Sequence, residues 1–324
     1  MDWDKAQTLV NSATRIIVLT HVSPDGDAIG SLLGLSHSLR SIGKTVTPAV
    51  DQGVPSFLKF LPGADQVLDK LKNIEADLAI AVDCGDFARV GEVGKEARAL
   101  NIPMINLDHH RTNTLFGDAN LVDPVTVAAS EGILDWLDRL GISLTPDAAQ
   151  CLLCGLVTDT LCFRTSNVTA ETLGKAQRLV AAGADLTVVV QNTVNRIPTA
   201  AIKLWGQVMP TVQLEDNVIW AKISVEARKA AGFVDGTDGG LVSILIQAAD
   251  AYVSSVMREQ DNGTVELGFR AVPGFDVSKL AVNLGGGGHV LASGATVPGT
   301  LAEVEARVIP MLKEAVKEGK PQIT

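Results

Sequence analysis

Aromatic side chains are scarce in this 324-residue chain, at 4% of the total with a single tyrosine. Cores must therefore be built from Val, Leu, Ile and Ala, which suits buried parallel strands and the helices that cover them. Positive charge is also short: Lys and Arg number 27 against 37 Asp and Glu, for a formal net charge of -10. That balance argues against a protein that coats long nucleic acid, duplex included, because such binding needs a basic surface. It leaves room for a local cationic pocket that holds one short anion. The start, Met1-Asp2-Trp3-Asp4-Lys5, lacks a basic-then-apolar leader pattern. The longest apolar stretch, near Ala148 to Val157, is too short and interrupted to span a bilayer. The expectation is a cytoplasmic protein with no membrane partner.

Cysteine is equally sparse. Four residues (Cys84, Cys151, Cys154, Cys162) do not make a disulfide framework in a chain of this length. Cys151 and Cys154 have C-x-x-C spacing, but Leu152, Leu153, Leu156 and Val157 surround them in a helical apolar pattern. No second C-x-x-C completes a zinc site, so both read as core residues. The chain has no internal repeat and no low-complexity segment.

Hydrophobic residues make up 46% and charged residues 20%, an ordinary globular balance. At ~150 residues per domain the length suggests two domains. The first half alternates apolar runs with helical stretches, the pattern of a parallel sheet covered on both faces. Strands are expected at Arg15 to Thr20, Thr45 to Val50, Asp77 to Val82 and Pro103 to Leu107, and helices at Ile29 to Leu39, Ala128 to Leu140, Thr145 to Val157 and Thr169 to Ala182. Thr145 and Thr169 are placed to cap helices, and Pro146 falls where its missing N–H costs nothing. Gly183 to Gln207 reads as a helical connection. Beyond it come a strand at Asn217 to Ser224, a cap and turn at Asp235 to Gly240, a helix at Leu241 to Ala249 and a strand at Tyr252 to Arg258. An Asn262-Gly263 hairpin then leads into Val265 to Val272, and an amphipathic helix at Leu301 to Lys317 contains Pro310. The expected fold is α/β, with a Rossmann-like parallel-sheet domain at 1–185, a helical connector at 186–210 and a smaller mixed α/β domain at 211–324.

The informative residues are those that end the strands. The first strand runs into His21-Val22-Ser23-Pro24-Asp25-Gly26-Asp27, the third into Asp83-Cys84-Gly85-Asp86, and the fourth into Asp108-His109-His110. Open parallel sheets place their sites at the carboxyl ends of strands, so these loops should converge. A further carboxylate, Asp159, lies just past an apolar helix. Several Asp and His side chains meeting at one place suit divalent cations, because the carboxylates would otherwise repel one another. His37, on a predicted helix, reads as structural.

Asp108-His109-His110 resembles the motif of the DHH phosphoesterases. The resemblance continues in Gly285-Gly286-Gly287-Gly288-His289 and Ala292-Ser293-Gly294, which are similar to the DHH-associated C-terminal domain. The motifs, in this order, resemble the bacterial branch of oligoribonucleases and phosphatases of 3'-phosphoadenosine 5'-phosphate (pAp). The resemblance implies two divalent metal ions, with manganese favoured. It implies His21 and Asp25 as ligands of one ion, Asp27, His109 and Asp159 as ligands of the other, and Asp83 as the bridge. His110 would contact the scissile phosphate, and Asp108 would orient a histidine. Asp86 has an orienting or a structural role.

Substrate contacts are expected from Arg111 and Arg164, which follow metal motifs, and the resemblance implies them for Arg270, Gly286, Gly287, Gly288 and His289. Glycine N–H groups can approach an anion closely, and no Gly-Lys-Ser/Thr follows to make a P-loop. The leading function is hydrolysis of short oligonucleotides, with pAp as a further substrate. The alternatives are a cyclic or linear dinucleotide phosphodiesterase and a non-catalytic nucleotide-binding protein. The partner is a short oligonucleotide or nucleotide, and a homodimer is compatible with the sequence.

Overall fold

The computed structural model describes residues 1–233 and 237–321. The turn expected at Asp235 falls partly outside them. The chain divides into two compact units, Met1–Arg196 and Ile197–Thr324.

The first unit opens with α1 (Trp3–Ser12), β1 (Arg15–Leu19), α2 (Gly26–Ser41) and β2 (Thr45–Ala49), then β3 (Leu78–Val82), α3 (Gly91–Ala99), β4 (Met104–Asp108) and β5 (Ala119–Val122). It continues through α4 (Ala129–Leu140), α5 (Pro146–Asp159), α6 (Ala170–Ala181) and α7 (Leu186–Asn192). The five strands form one parallel sheet in the order β2-β1-β3-β4-β5. Strand β3 is buried along its whole length, as its unbroken Leu-Ala-Ile-Ala-Val run requires in a sheet covered on both faces. Alternate residues of β1 serve the two faces. Ile16 and Val18 join the core of α2, α4 and α5, whereas Ile17 and Leu19 join the core of α3. Thr145 caps α5 by accepting from Ala148 N–H, and Thr169 caps α6 by accepting from Thr172 N–H.

Helices α2 and α5 pack face to face because glycines let their backbones approach. A Cβ at Gly30 would lie 2.5 Å from the Cys151 carbonyl oxygen and 2.8 Å from Gly155 N. Such contact would break the packing. Cys151 and Cys154 are fully buried here, and burial pushes the Cys154 thiol up to about 12. His37 contacts the Pro62 carbonyl at 2.9 Å, which ties α2 to the following loop.

The bounds of two helices in this unit differ from expectation in a way that bears on Asp25 and Asp159. Helix α2 begins at Gly26 rather than near Ile29, because the Asp25 carboxylate caps it by accepting from Asp27 and Ala28 N–H. Helix α5 runs on to Asp159, so this carboxylate belongs to the last turn and not to the loop beyond. The stretch expected as a connector divides. Val189 of α7 joins the first unit's core, while Ala201 and Leu204 of α8 (Thr199–Val208) join a core of the second.

The second unit continues from α8 with β6 (Gln213–Glu215), β7 (Val218–Ile223), α9 (Val225–Ala231), α10 (Leu241–Leu245), β8 (Val253–Glu259) and β9 (Thr264–Ala271). It ends with α11 (Ser278–Asn283), β10 (Gly287–His289), β11 (Ala292–Pro298) and α12 (Leu301–Glu318). Its sheet is mixed, in the order β10-β11-β9-β8-β7-β6, with only β7 and β8 parallel. Val265, Leu267 and Phe269 face the core of α12, and Val256 on the other face packs with Leu241 and Val242 of α10. Gly263, at φ 76, supplies the turn between β8 and β9 that a residue with a Cβ would strain. Pro310 lies inside α12 without ending it. Among the described residues, no helix is long and apolar enough to cross a membrane.

Candidate metal centre

The carboxyl ends of β1, β3 and β4 bring His21, Asp83 and Asp108-His109-His110 together, as parallel-sheet geometry dictates. Helix α2 adds Asp25 and Asp27, and the end of α5 adds Asp159. Three groups have ligand atoms within 4.8 Å of one another: His21, Asp25 and Asp83; Asp27, His109 and Asp159; and Asp83, Asp108, His109 and His110. Asp83 is common to the first and third groups and His109 to the second and third.

Asp83 sits at the centre. Its Oδ2 lies 3.4 Å from His21 Nε2, while Oδ1 lies 3.5 Å from His109 Nε2 and 3.7 Å from His110 Nδ1. Its backbone has φ 57, an uncommon conformation for a residue with a side chain, held by its N–H donating to the Leu107 carbonyl. The side chain is 3% exposed, and Oδ1 has no hydrogen-bond partner among the described residues. A buried carboxylate oxygen without a partner is expensive unless a cation meets it.

Asp27 is fully buried at the N-terminus of α4. It accepts from Ala129 N–H at 2.5 Å, from Ser130 N–H at 3.1 Å and from the Ser31 hydroxyl at 3.1 Å. The space is tight: a Cβ at Gly155 would collide with the Asp27 carboxylate and with Ser130. Burial, and then the neighbouring Asp83 charge, push Asp27 up to about 6. Burial together with Asp27 and Asp83 raises Asp159 well above the carboxylate range. Burial opposes ionisation of His109, but Asp83, Asp27 and Asp159 outweigh it and hold the imidazole at about 10. Burial also opposes the charged form of Asp83, and contacts with His109 and His21 reverse that, holding it well below its ordinary value. Carboxylates that raise one another, around imidazoles that charge to meet them, form a cluster short of positive charge. Imidazole and carboxylate donors fit divalent cations.

Asp108 is 2% exposed, and its Oδ1 lies 2.7 Å from His110 Nδ1. That contact, against some loss by burial, raises the His110 imidazole above its ordinary value. The other oxygen, Oδ2, accepts from Asn113 Nδ2 at 2.6 Å, and Asn113 also donates to Asn106 Oδ1 at 2.9 Å. Sequence reasoning missed this amide pair. The one available signal was a polar Asn106 inside the otherwise apolar Met-Ile-Asn-Leu strand. Asp86 caps the short turn Phe87–Val90 through Ala88 N–H at 2.7 Å, a structural role. Arg89, also missed, has Nη2 3.3 Å from His21 Nδ1.

Arg111 and Arg164 are exposed in the loops after β4 and α5. Arg164 Nε donates to the Leu161 carbonyl at 2.7 Å, within a turn where Leu161, Cys162 and Phe163 all have positive φ (49, 62 and 61). Three consecutive left-handed residues with side chains are strained, and the buried Thr160 hydroxyl helps to hold them by accepting from Phe163 N–H at 2.9 Å.

The remaining expected residues belong to the second unit. Arg270, on β9, is partly buried and donates to the Phe269 carbonyl at 2.9 Å. Burial lowers its guanidinium somewhat. The glycine stretch is a strand rather than a bare loop, because Gly287, Gly288 and His289 pair with Gly294, Ser293 and Ala292. Gly288 has φ 135, and a Cβ there would lie 2.6 Å from Ser293 Cα, whereas Gly287 faces open space. Gly286 is crowded by the Gly294 carbonyl. His289 is exposed.

Comparison with known proteins agrees with this geometry. Residues 15–178 match the DHH family N-terminal domain, and residues 218–318 match the DHHA1 domain. The bifunctional oligoribonuclease and PAP phosphatase NrnA of Thermus thermophilus is 33% identical over 318 residues, covering 96% of this chain and 94% of that protein. The cyclic-di-AMP phosphodiesterase GdpP of Geobacillus thermodenitrificans is 25% identical and covers 97% of this chain but 49% of its own length. The crystal structure of an exopolyphosphatase-related protein from Bacteroides fragilis superposes with a TM-score of 0.90 at 27% identity, covering 98% of each chain. With both domain types present in order and its Asp-His-His motif at the head of a partly buried cluster of carboxylates and imidazoles, the chain belongs to the DHH family.

Proposed function

We propose that this chain is a two-metal phosphoesterase that hydrolyses short oligonucleotides and pAp. The observation that carries the reading is Asp83, a buried carboxylate with one oxygen that accepts no hydrogen bond among the described residues, shared between two groups of ligand-type side chains at the sheet's carboxyl edge. In this reading His21 and Asp25 would hold one cation, Asp27, His109 and Asp159 would hold the other, and Asp83 would serve both. The mixed donor set admits Mn, Fe, Co or Zn, and the family resemblance favours manganese. Bound there, the two cations supply Lewis-acid polarisation of phosphoryl oxygens and acidify an attacking water.

The chain's own residues do the rest. Asp108 takes the Nδ1 proton side of His110 at 2.7 Å, which fixes the ring and leaves Nε2 for the substrate. With its affinity for protons raised by Asp108, His110 donates to a phosphate oxygen as charge develops there. Asn113 holds the second oxygen of Asp108, so the carboxylate cannot rotate away from the imidazole. Arg111, Arg164, Arg270, Gly286, Gly287, Gly288 and His289 are assigned to substrate binding, with cationic and N–H groups for phosphates and the ribose–base portion.

The NrnA relative is named for both activities and matches this chain over nearly its full length, which favours this reading over the cyclic-dinucleotide one. The test is kcat/KM on pAp, cyclic di-AMP and single-stranded oligomers from the dinucleotide to about 25 nucleotides, at fixed salt. Activity is expected to be highest at two to five nucleotides, because a chain of net charge -10 gains little counterion-release affinity from extra phosphates. Values that stay level or rise with length would refute the short-substrate reading, and a clear preference for cyclic di-AMP would favour the alternative.

A further inference from the structure

A cation that motif reading passes over stands beside the cluster. Arg89 lies in the short helical turn Phe87–Val90. Its N–H donates to the Asp86 carbonyl at 3.1 Å, and its carbonyl accepts from Val22 N–H at 2.8 Å. Gly91 follows at φ 75, where a Cβ would collide with the side chains of Asp51 and Val22. The turn is therefore locked to the loop that carries His21, while the Arg89 side chain is exposed.

Hydrogen-bond chemistry decides what this guanidinium is for. Its Nη2 lies 3.3 Å from His21 Nδ1, and Nδ1 also lies 2.9 Å from the Val22 carbonyl oxygen. A carbonyl can only accept, so the closer contact places a proton on Nδ1. Nε2, which faces Asp83 at 3.4 Å, is then the nitrogen that gives up its proton when a cation binds, as a metal-binding imidazole requires. A protonated Nδ1 has no lone pair for Arg89. Among the described residues, no carboxylate forms an ion pair with Arg89 either. A planar fork of donors stands at the rim of an anionic cluster with its acceptors still to come.

The position is complementary to that of His110. The two oxygens of Asp83 face different sides: Oδ1 faces His109 and His110, and Oδ2 faces His21. His110 serves the first side, and a phosphate entering among Asp25, Asp83 and Asp159 needs positive charge on the second. We infer that Arg89 is a substrate-binding residue whose guanidinium takes non-bridging oxygens of the scissile phosphate on the His21 side of the cluster. The inference rests on the phosphoesterase reading given above.

The experiment compares wild type with Arg89→Ala and Arg89→Lys in three measurements. These are hydrolysis of pAp and of a dinucleotide, calorimetric binding of AMP to the Mn2+-loaded protein, and calorimetric binding of Mn2+ itself. For Arg89→Ala, kcat/KM and AMP affinity should both fall by about 10- to 100-fold, the loss of a charge-assisted contact. Mn2+ affinity should stay at the wild-type value, and Arg89→Lys should recover part of the loss by keeping the charge without the fork. Unchanged AMP affinity and KM would overturn the inference. So would a matching loss of Mn2+ affinity, which would make Arg89 a positioning residue for His21. If the alanine variant does not fold, Arg89→Gln, which keeps most of the stem, carries the same comparison. A wild type that hydrolyses no substrate refutes the phosphoesterase reading instead, and the AMP arm still judges Arg89.

Discussion

The two units bury different things. In the first, half of the cluster is buried, with Asp27 at 0%, Asp108 at 2%, Asp83 at 3% and His21 at 4% exposure, while His109, His110 and Asp159 are partly exposed and Asp25 is exposed. In the second, the expected binding residues lie at the surface, with Gly286, Gly287, Gly288 and His289 exposed and Arg270 partly so. The positive-φ residues follow the same division. Ser23, Asp83, Leu161, Cys162 and Phe163 interrupt the loops that carry the cluster, whereas Gly285 and Gly288 supply the positive φ around the hairpin of β10 and β11. Buried carboxylates are tolerated only where countercharge arrives, and strained backbone persists only where surrounding structure holds it. An exposed hairpin needs neither condition. In the proposed reading the first unit holds ions in one geometry, and the second meets a ligand from solvent.

The comparison can be broken first at Asp83. Asp83→Ala should abolish nearly all hydrolysis and release bound metal, measured together by kinetics and metal analysis. Near-normal turnover with full occupancy would remove Asp83 from the centre. Asp108→Asn comes next. It keeps the shape of the site but loses the charge that holds His110, so kcat should fall about 10- to 100-fold. Metal content should not change, which separates orientation of the imidazole from coordination.

In the second unit the effect should fall on binding. Arg270→Ala and His289→Ala should each raise KM by about tenfold, with metals retained. Loss of metal from either variant would contradict the division of labour between the units.

Acid–base behaviour sharpens the same contrast. In chelated protein Asp27 is raised to about 6 from an ordinary carboxylate value near 4. A raised group contributes stability below its unfolded value and loses it as pH rises through the folded value. The metal-free melting temperature should therefore carry a component that declines between about pH 4 and pH 6. Asp27→Asn should flatten that component, and Mn2+ should oppose the decline because cations replace the protons. The smallest effect is a contrast between two glycines. Gly155→Ala drives a Cβ into Asp27 and Ser130 and should destabilise by about 1–3 kcal/mol. Gly287→Ala points into open space and should stay within about 0.5 kcal/mol of wild type by thermal melting.

Much of the first unit could be read locally. The apolar runs of β1, β3 and β4 announce strands buried on both faces, and the ends of those strands carry His21, Asp83 and Asp108-His109-His110. Thr145, Thr169 and Pro146 mark helix starts because capping depends on neighbours in the chain. The short elements were harder to see. Strand β5 has four residues and helix α3 nine with few apolar positions, and β10 is a glycine-rich run whose strand character comes from pairing with β11.

The sequence by itself determined which residue types end which strands, because apolar periodicity and turn chemistry act over a few neighbouring residues. It also carried the motif order that marks the family. Only the tertiary structure decided how those residues are held. Asp27 lies against the N-terminus of a helix 102 residues away in the chain, in a space that Gly155 keeps open. Asn106 and Asn113 steady Asp108 from a strand and a loop, and Arg89 reaches His21 because Val22 and the turn beyond β3 share a backbone hydrogen bond. Such partners are set by where packed helices and parallel strands place distant segments. No local pattern encodes that distance.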